Sequence, residues 1–134
     1  MTGAISHIPP MNTEVYMSTT DESIEQEIQA KGLTAPRVTP ADIEANIRAE
    51  TNFTAYDGSM ADDSDMVMKE ADALKLLTFC VLVLRNGFTV TGEAYCADPA
   101  KFNAETGRIE ARQNAVQKIW PLMVYELRTK LAGL

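Results

Sequence analysis

The feature that most constrains this chain is the stretch from Leu76 to Tyr95, where two runs rich in β-branched and aromatic residues flank Asn86-Gly87. That dipeptide suits the two-residue type I′ turn, so the stretch reads as an antiparallel β-hairpin. With Asn86 and Gly87 as the loop, the numbers of cross-strand partners sum to 173. Leu77, Phe79, Val81 and Val83 then share a face with Phe88, Val90, Gly92, Ala94 and Cys96. Every member is apolar or glycine, and this is the expected core face. The opposite face holds Thr78, Cys80, Leu82 and Leu84 against Thr89, Thr91, Glu93 and Tyr95. A slip of one residue would mix the two sets. Cys80, Leu82, Leu84 and Tyr95 are too apolar to face water, so they are expected to form an interface, covered by N-terminal helices or by another copy of the chain.

In the same register Cys80 and Cys96 lie on opposite faces, which predicts two reduced thiols rather than a disulfide. No cationic neighbour is evident to activate either of them. The single histidine, His7, falls in the segment Met1 to Thr19, which has no sustained periodicity and reads as an extended arm. These counts exclude a multi-histidine or Cys/His metal centre, and they leave a Ser-His-Asp or Cys-His nucleophile dependent on that arm. No glycine-rich phosphate loop is present either. The reading is a non-enzyme with no metal and no cofactor.

After the hairpin, Asp98-Pro99 marks an exit and Asn103 is placed to cap a helix beginning at Ala104. Ile109, Val116, Ile119 or Trp120, Met123, Leu127 and Leu131 recur at helical spacing. Pro121 cannot donate to the carbonyl four residues back, so a break or kink is expected near Trp120. Before the hairpin two short helices are expected. One begins at Thr20 or Asp21 and stops at Gly32, with Ile24 and Ile28 on one face. The other has Thr39 as cap, Pro40 at the first helical position and Asp42 completing a capping box. Its stripe of Ile43 and Ile47 runs out near Glu50, and Thr51 to Asp72 reads as an irregular acidic stretch. The run Asp62, Asp63 and Asp65 within it lacks the ligand spacing of a calcium loop and reads as solvated surface.

The expected fold class is therefore α+β: an antiparallel hairpin packed against a C-terminal helix broken at a proline. Two short helices and an extended arm stand in front. The divisions are an arm over 1–19, an acidic helical extension over 20–72, and a hairpin-plus-helix domain over 73–134. At 134 residues and 46% apolar, the chain has the length and core material of about one domain. No apolar run approaches the length of a membrane span, and Met1 to Pro10 lacks a secretory pattern.

Charge divides the chain. Met1 to Leu77 carries a net −9 and Thr78 to Leu134 a net +2, within an overall −7. The first half is therefore a poor match for phosphate backbones. In the second half Arg108, Arg112 and Lys118 fall near one side of the C-terminal helix. They form a candidate cationic patch for an anion, with Arg128 further along. Trp120 and Tyr125 form a candidate aromatic platform for a base, although Trp120 also lies on the apolar stripe, where it would fill the gap between helix and hairpin. A hairpin followed by a helix with basic residues also resembles part of a double-stranded-RNA module, but the helix start Asn103-Ala-Glu-Thr is not basic.

Two stretches carry a family resemblance. The first is Leu77-Thr-Phe-Cys-Val-Leu-Val-Leu-Arg-Asn-Gly-Phe-Thr-Val-Thr-Gly-Glu93. The second is Asn114-Ala-Val-Gln-Lys-Ile-Trp-Pro-Leu122, followed by Tyr125-Glu-Leu-Arg128. With Asp98-Pro99 and Arg108, they resemble the tailed-phage family named for gene product 49 of phage N4 and gene product 66 of phage Sf6. The similarity is dense from Leu76 to Leu131, and Glu25 to Pro40 resembles an N-terminal extension of some members. Met123-Val124 departs from the glycine expected before the tyrosine. The resemblance implies a phage or prophage origin and expression in a bacterial host, and it supplies no catalytic or binding residues. Three roles follow as expectations. The first is an accessory protein that binds a host or defence protein, or a nucleotide signal, in the host cytoplasm. The second is a minor virion or assembly component, self-associated as a homo-oligomer. The third is a nucleic-acid module acting through the C-terminal helix.

Overall fold

The computed structural model describes residues 19–30, 35–62 and 64–134. The arm with His7, the helix stop at Gly32, and Asp63 lie outside the described residues. Among those described are six helices and one three-stranded antiparallel sheet, an α+β architecture. The helices are α1 (Thr19–Ala30), α2 (Pro40–Ala45), α3 (Ala55–Gly58), α4 (Asp65–Lys69), α5 (Ala71–Leu74) and α6 (Ala104–Leu131). The strands are β1 (Ile47–Thr54), β2 (Leu77–Leu84) and β3 (Thr89–Tyr95), in spatial order β1-β2-β3. Two compact units emerge: 46–119 holds the sheet, α3 to α5 and the first part of α6, and the other joins residues up to Ala45 with 120–134.

β1 corrects the expectation of a helix tail followed by an irregular stretch. Ile47 extends no helical stripe, because it starts a strand that pairs antiparallel with β2, Thr51 opposite Val81 and Phe53 opposite Phe79. The strand is an edge, and its alternation of Arg48, Glu50 and Asn52 with Ile47, Ala49, Thr51 and Phe53 is weak because Ala49 and Thr51 add little apolar bulk. A bulge between Ile47 and Ala49 shifts its register once. The sheet thus draws strands from both sides of the expected boundary between residues 72 and 73. The rest of the supposed irregular stretch forms α3, α4 and α5. Thr54 opens α3 with a capping box, its hydroxyl accepting from Asp57 N at 3.1 Å and its amide donating to Asp57 Oδ2 at 3.2 Å. The Lys75 ammonium lies 4.8 Å from the Tyr56 ring centroid, tying α3 to the chain just after α5.

The hairpin forms in a different register from the one expected. Leu77 pairs with Tyr95, Cys80 with Gly92 and Val83 with Thr89, one residue away from the two-residue-loop alignment. A type I′ turn needs positive φ at both central residues, whereas Gly87 at +90° has it and Asn86 does not. The loop is three residues, Arg85 to Gly87. It is closed by Leu84 N donating to Phe88 O at 2.8 Å and Gly87 N donating to Leu84 O at 2.9 Å. The slip leaves Val90, Gly92 and Ala94 facing the core, as expected, and reverses β2. Thr78, Cys80, Leu82 and Leu84 are the buried residues of β2, at 3, 0, 0 and 4% exposure. Leu77, Phe79, Val81 and Val83 are only half-buried on the other face.

The core of this unit is the contact between that face and α6. Ala111, Ala115, Val116 and Ile119 are buried on the helix, and a Cβ on Gly92 would overlap the Ala111 carbonyl and the Ala115 amide. Helix backbone therefore rests directly on strand backbone at this point. α6 opens as expected, with Asn103 Oδ1 accepting from Thr106 N at 3.0 Å. It does not break at Pro121, which lies inside one continuous 28-residue helix. A single missing donor is tolerated there, and the proline falls at the boundary between the two units. In the other unit the expected capping box of α2 is present. Thr39 N donates to Asp42 Oδ2 at 3.0 Å and Asp42 N to Thr39 Oγ1 at 3.1 Å.

Two consequences are measurable by urea unfolding. Gly92→Ala should lose about 3 kcal/mol, because the added methyl meets backbone that cannot rotate away. Leu82→Ala should lose about 3 kcal/mol and Val81→Ala only about 1 kcal/mol, the reverse of the order the two-residue loop predicts.

Candidate functional site

The two cysteines differ in their surroundings. Cys80 is completely buried, and that burial, reinforced by the Glu50 carboxylate, pushes its thiol up to about 12. Cys96 is half-buried just beyond β3, its Sγ donating to the Asp98 carbonyl at 3.2 Å. Both thiols are free as expected, but not because they face opposite ways. Cys80 sits opposite Gly92, four residues before Cys96, and about 3.4 Å per residue puts them beyond disulfide reach. Among the described residues no cluster of three or more His, Cys, Asp or Glu could hold a metal. Asp62 instead accepts from Ser64 N at 3.0 Å, and Asp65 opens α4.

The proposed interface residues separate. Cys80, Leu82 and Leu84 are buried within the chain itself, so they offer no surface to another copy. The alternation failed here because β2 is apolar on both faces, as a central strand tends to be. Tyr95 alone of that set is exposed, at 77%.

The candidate cations are each drawn to a carboxylate. Arg112 Nε donates to Glu50 Oε1 at 2.9 Å, joining α6 to β1. Arg108 pairs with Glu105 one turn away at 2.8 Å, and Lys118 approaches Glu93 at 4.0 Å. The Arg112–Glu50 pair is the substantial one, the arginine side chain being 12% exposed. Burial pushes Glu50 up, yet hydrogen bonds from Arg112 and from Asn52 Nδ2 at 3.1 Å outweigh it and hold the carboxyl below its usual range. Asn52 Oδ1 is buried beside this pair with no partner among the described residues. Arg108, Arg112 and Lys118 thus each stand beside a carboxylate, with Arg108 and Lys118 still about half exposed. Trp120, Tyr125 and Arg128 belong to the other unit. Trp120 is half-buried with its indole N–H unpaired among the described residues, and Tyr125 is 75% exposed. In that unit the Arg37 guanidinium grips Glu25 of α1 with two bonds, one of them Nη2 to Oε2 at 2.7 Å.

The sequence reading missed a cavity of about 360 Å³ at one end of the sheet. It lies where β2 begins, β3 ends and α6 starts. Its walls combine apolar Leu76, Ala94 and Phe102 with Thr78, Asn103 and Thr106. Arg108, Arg112 and Lys118 take no part in it. The sequence signal was available in Gly107, whose missing side chain lets α6 approach β2. A Cβ there would lie 2.9 Å from Thr78 Oγ1.

The hairpin-built sheet and the long C-terminal helix make an α+β fold. The chain belongs to the Phage protein (N4 Gp49/phage Sf6 gene 66) family, matched over residues 38–131. No curated protein and no solved structure matches it. No helix among the described residues is long and apolar enough to cross a membrane.

Two predictions follow from the thiols and from Glu25. At pH 8 a water-soluble disulfide reagent should label one thiol, Cys96, in the native protein and both in denaturant, because Cys80 is buried and protonated. The Arg37 and Gln29 hydrogen bonds hold Glu25 at about 2 against its ordinary 4.5. A depressed carboxylate stabilises the fold above its unfolded value and loses that contribution as pH falls toward the folded one. Urea midpoints should therefore drop between about pH 5 and pH 2, and Glu25→Gln should flatten that drop.

Proposed function

We propose that this phage protein is a non-enzymatic accessory protein that acts in the host cytoplasm by binding a host or defence protein with a basic surface. The observation that carries the reading is the pairing of Arg108, Arg112 and Lys118 of α6, each beside a carboxylate, in a chain of net charge −7. Pairing of that kind leaves little positive field for a nucleic acid and favours a cationic partner. The excursion between β1 and β2 adds a second support. It exposes Met60, Met66 and Met68 at 59, 53 and 76%, among exposed Asp62, Asp65, Glu70 and Asp72. Flexible thioether side chains ringed by carboxylates suit an adaptable protein contact.

The test is native mass spectrometry of the protein expressed in, and gently purified from, a bacterial host. A stoichiometric host protein should co-purify at low salt and dissociate at about 0.5 M salt, as a screened electrostatic contact does. Asp65→Asn with Asp72→Asn should weaken it about tenfold. A bare homo-oligomer unaffected by salt would favour a structural role in the virion or its assembly. Retained nucleic acid would overturn the reading.

A further inference from the structure

We infer that the cavity between β2, β3 and the start of α6 is a binding site for a small, uncharged ring molecule bearing hydroxyl groups. This inference does not rest on the protein-binding role, because the cavity lies wholly within 46–119 and shares none of the exposed methionines. Four observations converge on it.

The volume, about 360 Å³, falls in the range of cavities that hold small ligands. Thr78 is the second observation. It is the one buried polar or charged residue of the described core, at 3% exposure, and it lines the cavity wall. Its hydroxyl is not among the buried, unpartnered side-chain atoms, which are Asn52 Oδ1 and Trp120 Nε1. A hydroxyl on the cavity wall offers a bound molecule both a donor and an acceptor. Gly107 preserves the arrangement, since any side chain there would press on that hydroxyl.

Charge is the third. Asp98 and Glu110 outnumber Lys101 on the rim, so a phosphate-bearing molecule would meet repulsion. Carboxylates accept hydrogen bonds, and the Glu110 carboxylate with the Thr78 and Thr106 hydroxyls suits donors on the ligand. Part of the polar inventory is already committed: Asp98 Oδ1 accepts from Ala100 N at 3.0 Å and Asn103 Oδ1 caps α6. The Asn103 amide group remains as a donor. Apolar and aromatic walls are the fourth, with Phe102 and Tyr95 lining the cavity beside Leu76 and Ala94. Aromatic faces flanked by hydroxyl, amide and carboxylate groups are the chemistry that recognises a hydroxylated ring, whether a nucleoside or a sugar.

The experiment is an amide-resolved NMR titration of the full chain with adenosine, with maltose and with adenosine monophosphate. Either neutral ring molecule should give saturable shifts at Thr78, Thr106 and Gly107, adenosine identifying a nucleoside source and maltose a sugar source. Adenosine monophosphate should bind about fivefold more weakly than adenosine. Thr78→Val should weaken binding about fivefold while keeping the thermal midpoint, and Glu110→Gln, at an exposed position, should do the same without touching the core. Tighter binding of the monophosphate would make the site anionic-ligand selective and overturn the inference. So would the absence of shifts with both neutral molecules, or unchanged affinity in both variants.

Discussion

Everything in the sheet unit depends on one contact, the backbone of α6 lying on Gly92. At that approach a helix cannot sit on a strand bearing a side chain, so the strand supplies glycine and the helix supplies Ala111 and Ala115 one turn apart. Larger residues then fill the space on either side: Leu82 and Cys80 on β2, Val116 and Ile119 on α6. The close approach gains dispersion over many atom pairs and excludes water from the whole even-numbered face of β2. It also fixes the depth of the helix against the sheet. Gly107, two turns upstream of Ala115, brings the start of α6 close to Thr78.

How much of this was legible can be judged at the hairpin. The two strands, the glycine-bearing face of β3, the Asn103 cap and the Thr39–Asp42 box could all be read from local chemistry, since each depends on residues within a few positions. The register could not. Asn-Gly serves a two-residue turn, and equally a three-residue loop whose last member has positive φ, and the choice between them moves β2 by one residue. Alternation would have arbitrated, but Leu-Thr-Phe-Cys-Val-Leu-Val-Leu is apolar at odd and even positions alike. Both registers turn Gly92 toward the core; the backbone at Asn86, without the positive φ of a type I′ turn, goes with the three-residue loop that sets Cys80 opposite Gly92.

β1 and the charges share a second kind of illegibility. The edge strand alternates only weakly, with Ala49 and Thr51 between Arg48, Glu50 and Asn52, and nothing local shows the partner it brings to Arg112. Spacing along α6 correctly places Arg108 and Arg112 on related sides, yet the meaning of Arg112 depends on Glu50, 62 residues away. Once β1 is present, that arginine joins strand to helix. It also holds a carboxylate ionised in a place where burial alone would push it toward protonation. Its removal would strand Glu50 beside the unpaired Asn52 oxygen.

The cavity follows from the same geometry. Where α6 lies on Gly92 the interface closes completely, and Ala111, Ala115 and Cys80 are without exposure. Toward its start the helix meets the end of the sheet, where β3 finishes and the chain turns through Asp98 and Pro99. There the strands supply no further large residue to fill the wedge. A helix held at backbone distance in its middle and flanked by small residues at Thr78, Ala94 and Gly107 leaves space at that end. Larger residues at those three positions would close it, at the cost of lifting α6 from Gly92 or of straining its first turn. The family match runs from Val38 through Leu131 and so includes every residue of this wedge as well as Gly92, Glu50 and Arg112. Contact and cavity thus belong to the same matched segment, and α1 lies outside it.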